Sequence, residues 1–124
     1  MDRDFSYKVI GCALKVHQIL GPGLLESIYE KALMMELANE GIRARAQVPV
    51  EVVYKGVNIG EGLRMDILVE DELVLELKSV EELRPVHFKQ LQTYLKLADK
   101  RVGLLINFNV DELKEGIHRV VNRY

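Results

Sequence analysis

Asp66, Glu76 and Lys78 are the residues of this 124-residue chain whose types and spacing suit chemistry. They lie in the stretch Arg64-Met65-Asp66-Ile67-Leu68-Val69-Glu70-Asp71-Glu72-Leu73-Val74-Leu75-Glu76-Leu77-Lys78, which is otherwise apolar enough to form central strands. Burying an unpaired carboxylate costs several kcal/mol, so Glu76 in such a setting needs a cation or hydrogen-bond partners. Side chains alternate across a strand, which puts Glu76 and Lys78 on one face, about 6.5–7 Å apart along it. A turn containing Asp71 brings Asp66 back alongside. Two acids and a lysine converging on one sheet face suit a divalent cation and a water. The bland alternative is a salt-bridged Glu76–Lys78 pair on an exposed strand; the apolar run around them favours a covered strand.

The elements that must position these groups follow from periodicity. Residues 4–20 read as a helix, with Val9, Ile10, Ala13, Leu14, Val16, His17 and Leu20 at helical spacing, stopped by Gly21-Pro22-Gly23. A second helix runs from about Leu24 to Asn39, its apolar positions Leu25, Ile28, Ala32, Leu33, Met35 and Leu37, and Gly41 ends it. Ala46 to Tyr54 alternates as a strand, Lys55-Gly56 is a turn, and Val57 to Val69 forms a second strand bent near Gly60 and Gly62. The third strand is Leu73 to Val80. Pro85 opens a helix to about Ala98, Arg101 to Phe108 is a short apolar strand, and Val110 to Arg123 reads as a last helix with Val110, Leu113, Ile117, Val120 and Val121 as its stripe. The order ααβββαβα implies an α/β fold, a mixed four-stranded sheet flanked by helices, in a single domain over residues 1–124.

Composition narrows the function classes. Apolar residues make up 48% and charged residues 29%, as in an ordinary globular protein. No segment approaches the roughly 20 apolar residues of a membrane helix, and Met1-Asp2-Arg3-Asp4-Phe5 lacks the layout of a secretory signal. The lone Cys12 forms no internal disulfide and suits a cytoplasmic location. A net charge of −2 is a poor footprint for nucleic-acid binding. Small-molecule chemistry has little support: Gly60-Glu61-Gly62 lies between strands rather than before a helix, and no serine or cysteine sits in a nucleophile motif.

Asp66, nine intervening residues and then Glu76-Leu77-Lys78, on a βββαβ frame preceded by helices, resembles the PD-(D/E)XK nuclease superfamily. The chain is more narrowly similar to the small family named for a GxxExxY signature, here Gly23-Leu24-Leu25-Glu26-Ser27-Ile28-Tyr29. Val16-His17-Gln18-Ile19-Leu20-Gly21-Pro22-Gly23, Gly60-Glu61-Gly62 and Val102-Gly103-Leu104-Leu105-Ile106-Asn107-Phe108 also match. Met65 stands where the founding motif has proline, which weakens the signature but does no chemistry. The resemblance implies a restriction-endonuclease-like core and a metal-dependent nuclease, with a catalytically inactive binding module of the same fold as the alternative. It implies Asp66, Glu76 and the main-chain carbonyl of Leu77 as ligands of Mg²⁺ or Mn²⁺, hard cations that suit oxygen donors, and Lys78 as the group that orients water and stabilises the transition state. Glu26 is implied as a third acid near the metal, although a helix N-terminus favours an acid there anyway.

Gln90 and Tyr94, one turn apart, look like the QxxxY element of an exonuclease-like branch of that superfamily, where the glutamine positions catalytic groups and the tyrosine contacts the nucleic-acid backbone. Tyr29 either orients Glu26 or a phosphate, or is a core aromatic with its hydroxyl at the rim. His17 reads as a hydrogen-bonded packing residue, His87 as a residue of the site rim, and His118 as a surface residue of the last helix. Arg43, Arg45, Lys55, Arg64, Arg84, Lys89 and Lys96 are candidate phosphate contacts, most of them ordinary solvated charges. The implied partner is nucleic acid, DNA ahead of RNA. A chain this short has no separate DNA-binding domain, so a homodimer or a partner protein would have to add grip, and no membrane is involved.

Overall fold

The computed structural model describes residues 3–122. The expectations for Met1 and Asp2 and for the end of the last helix at Arg123 lie outside them. Two helices, α1 (Arg3–Leu20) and α2 (Glu26–Asn39), are followed by β1 (Ala44–Tyr54), β2 (Val57–Val69) and β3 (Leu73–Lys78), then α3 (Pro85–Ala98), β4 (Val102–Asn107) and β5 (Ile117–Val121). The five strands form one sheet in sequence order. β1–β2, β2–β3 and β4–β5 are antiparallel, while β3 and β4, joined by the α3 crossover, are parallel. This α/β architecture is a restriction-endonuclease-like fold.

Each sheet face has its own core. Ile67, Val69, Leu73, Leu75, Leu77, Leu104 and Ile106 pack with Val9, Ala13 and Val16 of α1 and Tyr29, Leu33 and Leu37 of α2. On the other face Leu68, Val74 and Leu105 pack with Leu91 and Leu95 of α3 and with Val120. β3 is thus covered on both sides, which explains its continuous apolar run. By the two-residue period, Glu76 and Lys78 continue the Val74 row toward α3.

Two expectations are corrected. The four-stranded ααβββαβα reading becomes five-stranded, because the segment read as a last helix is a single 3₁₀ turn, Leu113–Gly116, followed by β5. Ile117, Val120 and Val121 mimic helical spacing but are β-branched. Gly116 lies so close to the Asn107 carbonyl that no Cβ fits, which turns the chain back along β4. His118 is accordingly on a strand, half-buried, edge-on to Phe88 at 5.3 Å. On α2 the buried line is Tyr29-Leu33-Leu37, whereas the expected core positions Leu25 and Met35 are 74% and 68% exposed.

Turns follow the residue chemistry. Lys55 and Gly56, both at positive φ, close the β1–β2 hairpin with the geometry that matches strand twist. The β1–β2 register slips between Val50 and Val53, opposite Gly60 and Gly62, and Gly60 is at φ +107°, which accounts for the expected bend.

Candidate active site

The β2–β3 ladder runs Val69↔Leu73, Leu68↔Val74, Ile67↔Leu75 and then stops. The next residues in register are Asp66 and Glu76, and here side chains replace backbone pairing. Asp66 N–H donates to Glu76 Oε1 at 3.2 Å, and Leu77 N–H donates to Asp66 Oδ2 at 2.7 Å. Beyond this point the two strands no longer pair, and each carboxylate caps an amide of the other strand. Asp66 Oδ1 and Glu76 Oε2 accept no hydrogen bond among the described residues, and no fully enclosed side-chain oxygen there lacks a partner, so both oxygens open toward solvent.

Glu76 is only 5% exposed. Burial, followed by the Asp66 charge, pushes its carboxyl up to about 8, against the opposing pull of the Asp66 amide and Lys78. Asp66 is raised in the same direction, again by burial first, with the charges of Glu30 and Glu26 adding to it. Lys78 is half-buried and near enough for its charge to act on both acids, yet its ammonium makes no direct ion pair or hydrogen bond among the described residues. The alternative of an exposed Glu76–Lys78 salt bridge is therefore overturned by the burial of Glu76 and the missing contact.

These values carry a prediction for the metal-free protein. The folded state holds a proton on Glu76 that the unfolded chain releases near 4.5, so this contribution to stability is full below pH 4.5 and is lost as pH rises toward about 8. Glu76→Gln, which mimics the protonated form, should match the wild type in thermal melts at pH 5 and exceed it by about 5–10 °C at pH 9. Equal melting temperatures at both pH values would contradict the assigned burial.

The donor set fits a hard divalent cation. Two carboxylates each have an oxygen to offer. Leu77 adds a carbonyl facing the same side, because an extended residue's N–H and C=O point to one neighbour and the Leu77 N–H points to Asp66. Magnesium-type sites use one or two carboxylates and leave the other positions to water and phosphate. Among the described residues no three acidic, imidazole or thiol groups converge on one point.

Glu26 sits to one side of the pair, at the first position of α2, with Oε2 accepting from Ser79 N–H at 3.3 Å. Its placement follows from Tyr29, which is fully buried, stacked on Phe108 at 4.4 Å, and bonded through its hydroxyl to the Gly21 carbonyl at 2.6 Å and the Leu24 amide at 3.1 Å. Tyr29 thus clasps the turn that presents Glu26, and the expectation that it orients Glu26 or a phosphate directly gives way to this core role. Ser79 Oγ completes the junction by donating to the Leu24 carbonyl at 2.6 Å. Tyr29→Phe leaves the Leu24 amide and Gly21 carbonyl without that partner and should lower stability by about 1–3 kcal/mol, read as a lower denaturation midpoint at unchanged slope.

On α3, Tyr94 is half-buried against the second core, and its hydroxyl is raised by burial and then by the charges of Glu76 and Asp66, so it stands within their field. Gln90 is exposed one turn earlier, and its side chain makes no hydrogen bond among the described residues. The other singled-out residues are elsewhere. His17 Nε2 bonds the Val110 carbonyl at 2.7 Å, a packing role. His87 Nδ1 accepts from Arg84 N–H at 2.9 Å and closes the first turn of α3. Arg43, Arg45 and Arg64 are engaged with Glu70, Asp71 and Glu61, and Cys12 is a buried thiol.

Three residues near the pair had no role in the sequence reading. Asn107 is buried, pairs in register with Lys78, and fixes the chain beyond β3 through both polar atoms, to the Val80 amide at 3.1 Å and the Val80 carbonyl at 2.9 Å. Glu30 contributes more to the raised Asp66 carboxyl than Lys78 takes away. It also accepts from Gln47 Nε2 at 2.7 Å. The four-residue step from Glu26 to Glu30 was the available signal, since it stacks both acids on one helix face.

A profile of the PD-(D/E)XK nuclease superfamily matches residues 3–120, and the chain belongs to that superfamily. Its nucleases generally use divalent metals. Among solved structures the chain is similar to one described as the crystal structure of SSO0001, with a TM-score of 0.59 at 22% identity over 98% of this chain. The chain spans 63% of the length of that structure, and the likeness is one of fold. No curated protein matches. No helix among the described residues is long and apolar enough to cross a membrane.

Proposed function

We propose that the chain is a single-domain, metal-dependent phosphodiesterase of the GxxExxY type that cleaves nucleic acid, DNA ahead of RNA. The observation that carries this reading is the reciprocal capping of Asp66 and Glu76 where β2 and β3 stop pairing, each keeping one oxygen turned to solvent. Asp66, Glu76 and the Leu77 carbonyl hold Mg²⁺ or Mn²⁺, with Glu26 acting from its seat on Ser79 through water. The bound ion supplies Lewis acidity at the scissile phosphate. Lys78 orients the attacking water and offsets charge that grows on the phosphate oxygens. Tyr94, within the field of the two acids, donates to a backbone phosphate, and Gln90, exposed one turn away, positions the strand that follows. Grip on the substrate comes from a second copy or a partner protein, and the setting is cytoplasmic.

The net charge of −2 favours one rival, a binding or assembly module that has kept the fold without the reaction. A panel of single-stranded, duplex and branched DNA and RNA, incubated with Mg²⁺ or Mn²⁺, separates the two. Cleavage that stops on chelation supports the nuclease. A folded protein that cleaves nothing on the panel with either ion sinks it.

A further inference from the structure

The β1–β2 ladder holds one register from Ala44↔Val69 to Val50↔Leu63, but Gln47, which falls opposite Asp66, forms no pair. The Glu70 amide donates to the Arg43 carbonyl at 2.8 Å. In an antiparallel ladder every second residue of a strand bonds the same neighbour. The Asp66 amide, four residues from Glu70, should therefore donate to the Gln47 carbonyl, four residues from Arg43. It donates to Glu76 Oε1 instead. At this point Gln47 has φ +55°, a left-handed conformation that few residues other than glycine adopt and that costs about 1–2 kcal/mol in a side-chain-bearing residue. Something must hold it there, and among the described residues the one hydrogen bond of its side chain is the 2.7 Å contact from Nε2 to Glu30 Oε1 on α2. A strained backbone held by a tertiary contact is characteristic of functional sites.

From this geometry we infer that Glu30 and Gln47 are positioning residues: their hydrogen bond withdraws the Gln47 carbonyl from the Asp66 amide, which is thereby released to fix the Glu76 carboxylate for cation binding. The last step rests on the nuclease reading above; the backbone switch does not. Glu30 also stands where its charge acts on Asp66, so it tunes the pair it helps to build. Neither residue has to touch substrate or metal.

The test separates the two layers. In ¹⁵N,¹³C-labelled metal-free protein, scalar coupling across the hydrogen bond reports the acceptor of the Asp66 amide. Wild type should couple to the side-chain carboxyl carbon of Glu76. Gln47→Val, whose β-branched residue is driven back to extended backbone, should couple to the carbonyl carbon of residue 47. Gln47→Gly, which adopts positive φ without strain, should keep the wild-type coupling, and Glu30→Ala should shift it toward that of Gln47→Val. Mn²⁺ titration then reads the consequence. Gln47→Val should bind about 10–100-fold more weakly than wild type, with Gln47→Gly within about threefold, the range seen for groups that orient metal ligands. A coupling to Glu76 that survives Gln47→Val overturns the switch. A coupling that moves with no change in Mn²⁺ affinity overturns the positioning role, while wild type that binds no Mn²⁺ overturns the nuclease reading on which that role rests.

Discussion

Replacing Asp66 or Glu76 with alanine should abolish Mn²⁺ binding and reduce metal-dependent cleavage by more than about a thousandfold, because several kcal/mol of transition-state stabilisation depend on the ion they hold. The fold should survive. Asp66→Ala leaves the Leu77 amide without its 2.7 Å acceptor and Glu76→Ala leaves the Asp66 amide unpaired, each a cost of about 1–3 kcal/mol. Against this, each substitution removes a carboxyl that burial raises in the native protein, and loss of the Asp66 charge also relieves Glu76. Circular dichroism and thermal melts at pH 8 should therefore show folded variants with midpoints close to wild type, while calorimetry shows no Mn²⁺ heat. Activity lost only in step with unfolding would mean that the carboxylates are structural.

Lys78 should behave differently, and the difference is diagnostic. Lys78→Met keeps the apolar stem and removes the ammonium. The expected result is a loss of about 10²–10³ in kcat, the size found when one electrostatic stabiliser of a transition state is deleted. Mn²⁺ affinity should be unchanged or higher, since a cation near both carboxylates has gone. Such a split between catalysis and binding places Lys78 with the reacting groups. Equal loss of both would assign it to holding the carboxylates in place, and full activity would remove it from the site.

Much of this was legible in the sequence, for identifiable reasons. The carboxylates stood out because β3 is covered on both faces, so its apolar run made Glu76 and Lys78 conspicuous. The β1–β2 turn was announced by Lys55-Gly56, where glycine supplies the conformation. What stayed hidden depends on tertiary contacts. Ile117, Val120 and Val121 satisfy a helical and an extended pattern equally, and only the available edge of β4 decides between them. On α2 two apolar lines compete, and the stacking of Tyr29 on Phe108, 79 residues away in sequence (108 minus 29), selects the buried one. Gln47 could not have been read at all, because glutamine carries no left-handed preference and the conformation is imposed by Glu30. Asn107 was quoted within a matching segment, but its role needs the parallel pairing of β3 and β4 that sets it beside Lys78.

The most direct measurement is an isothermal titration with Mn²⁺ of the wild type and of the Asp66→Ala/Glu76→Ala double variant, each with and without an uncleavable phosphorothioate oligonucleotide. The reciprocal capping between β2 and β3 predicts saturable binding in the wild type, strengthened by the oligonucleotide, and none in the double variant under either condition. No binding to a folded wild type even with the oligonucleotide present, or equal binding by both proteins, would contradict a metal site at Asp66 and Glu76.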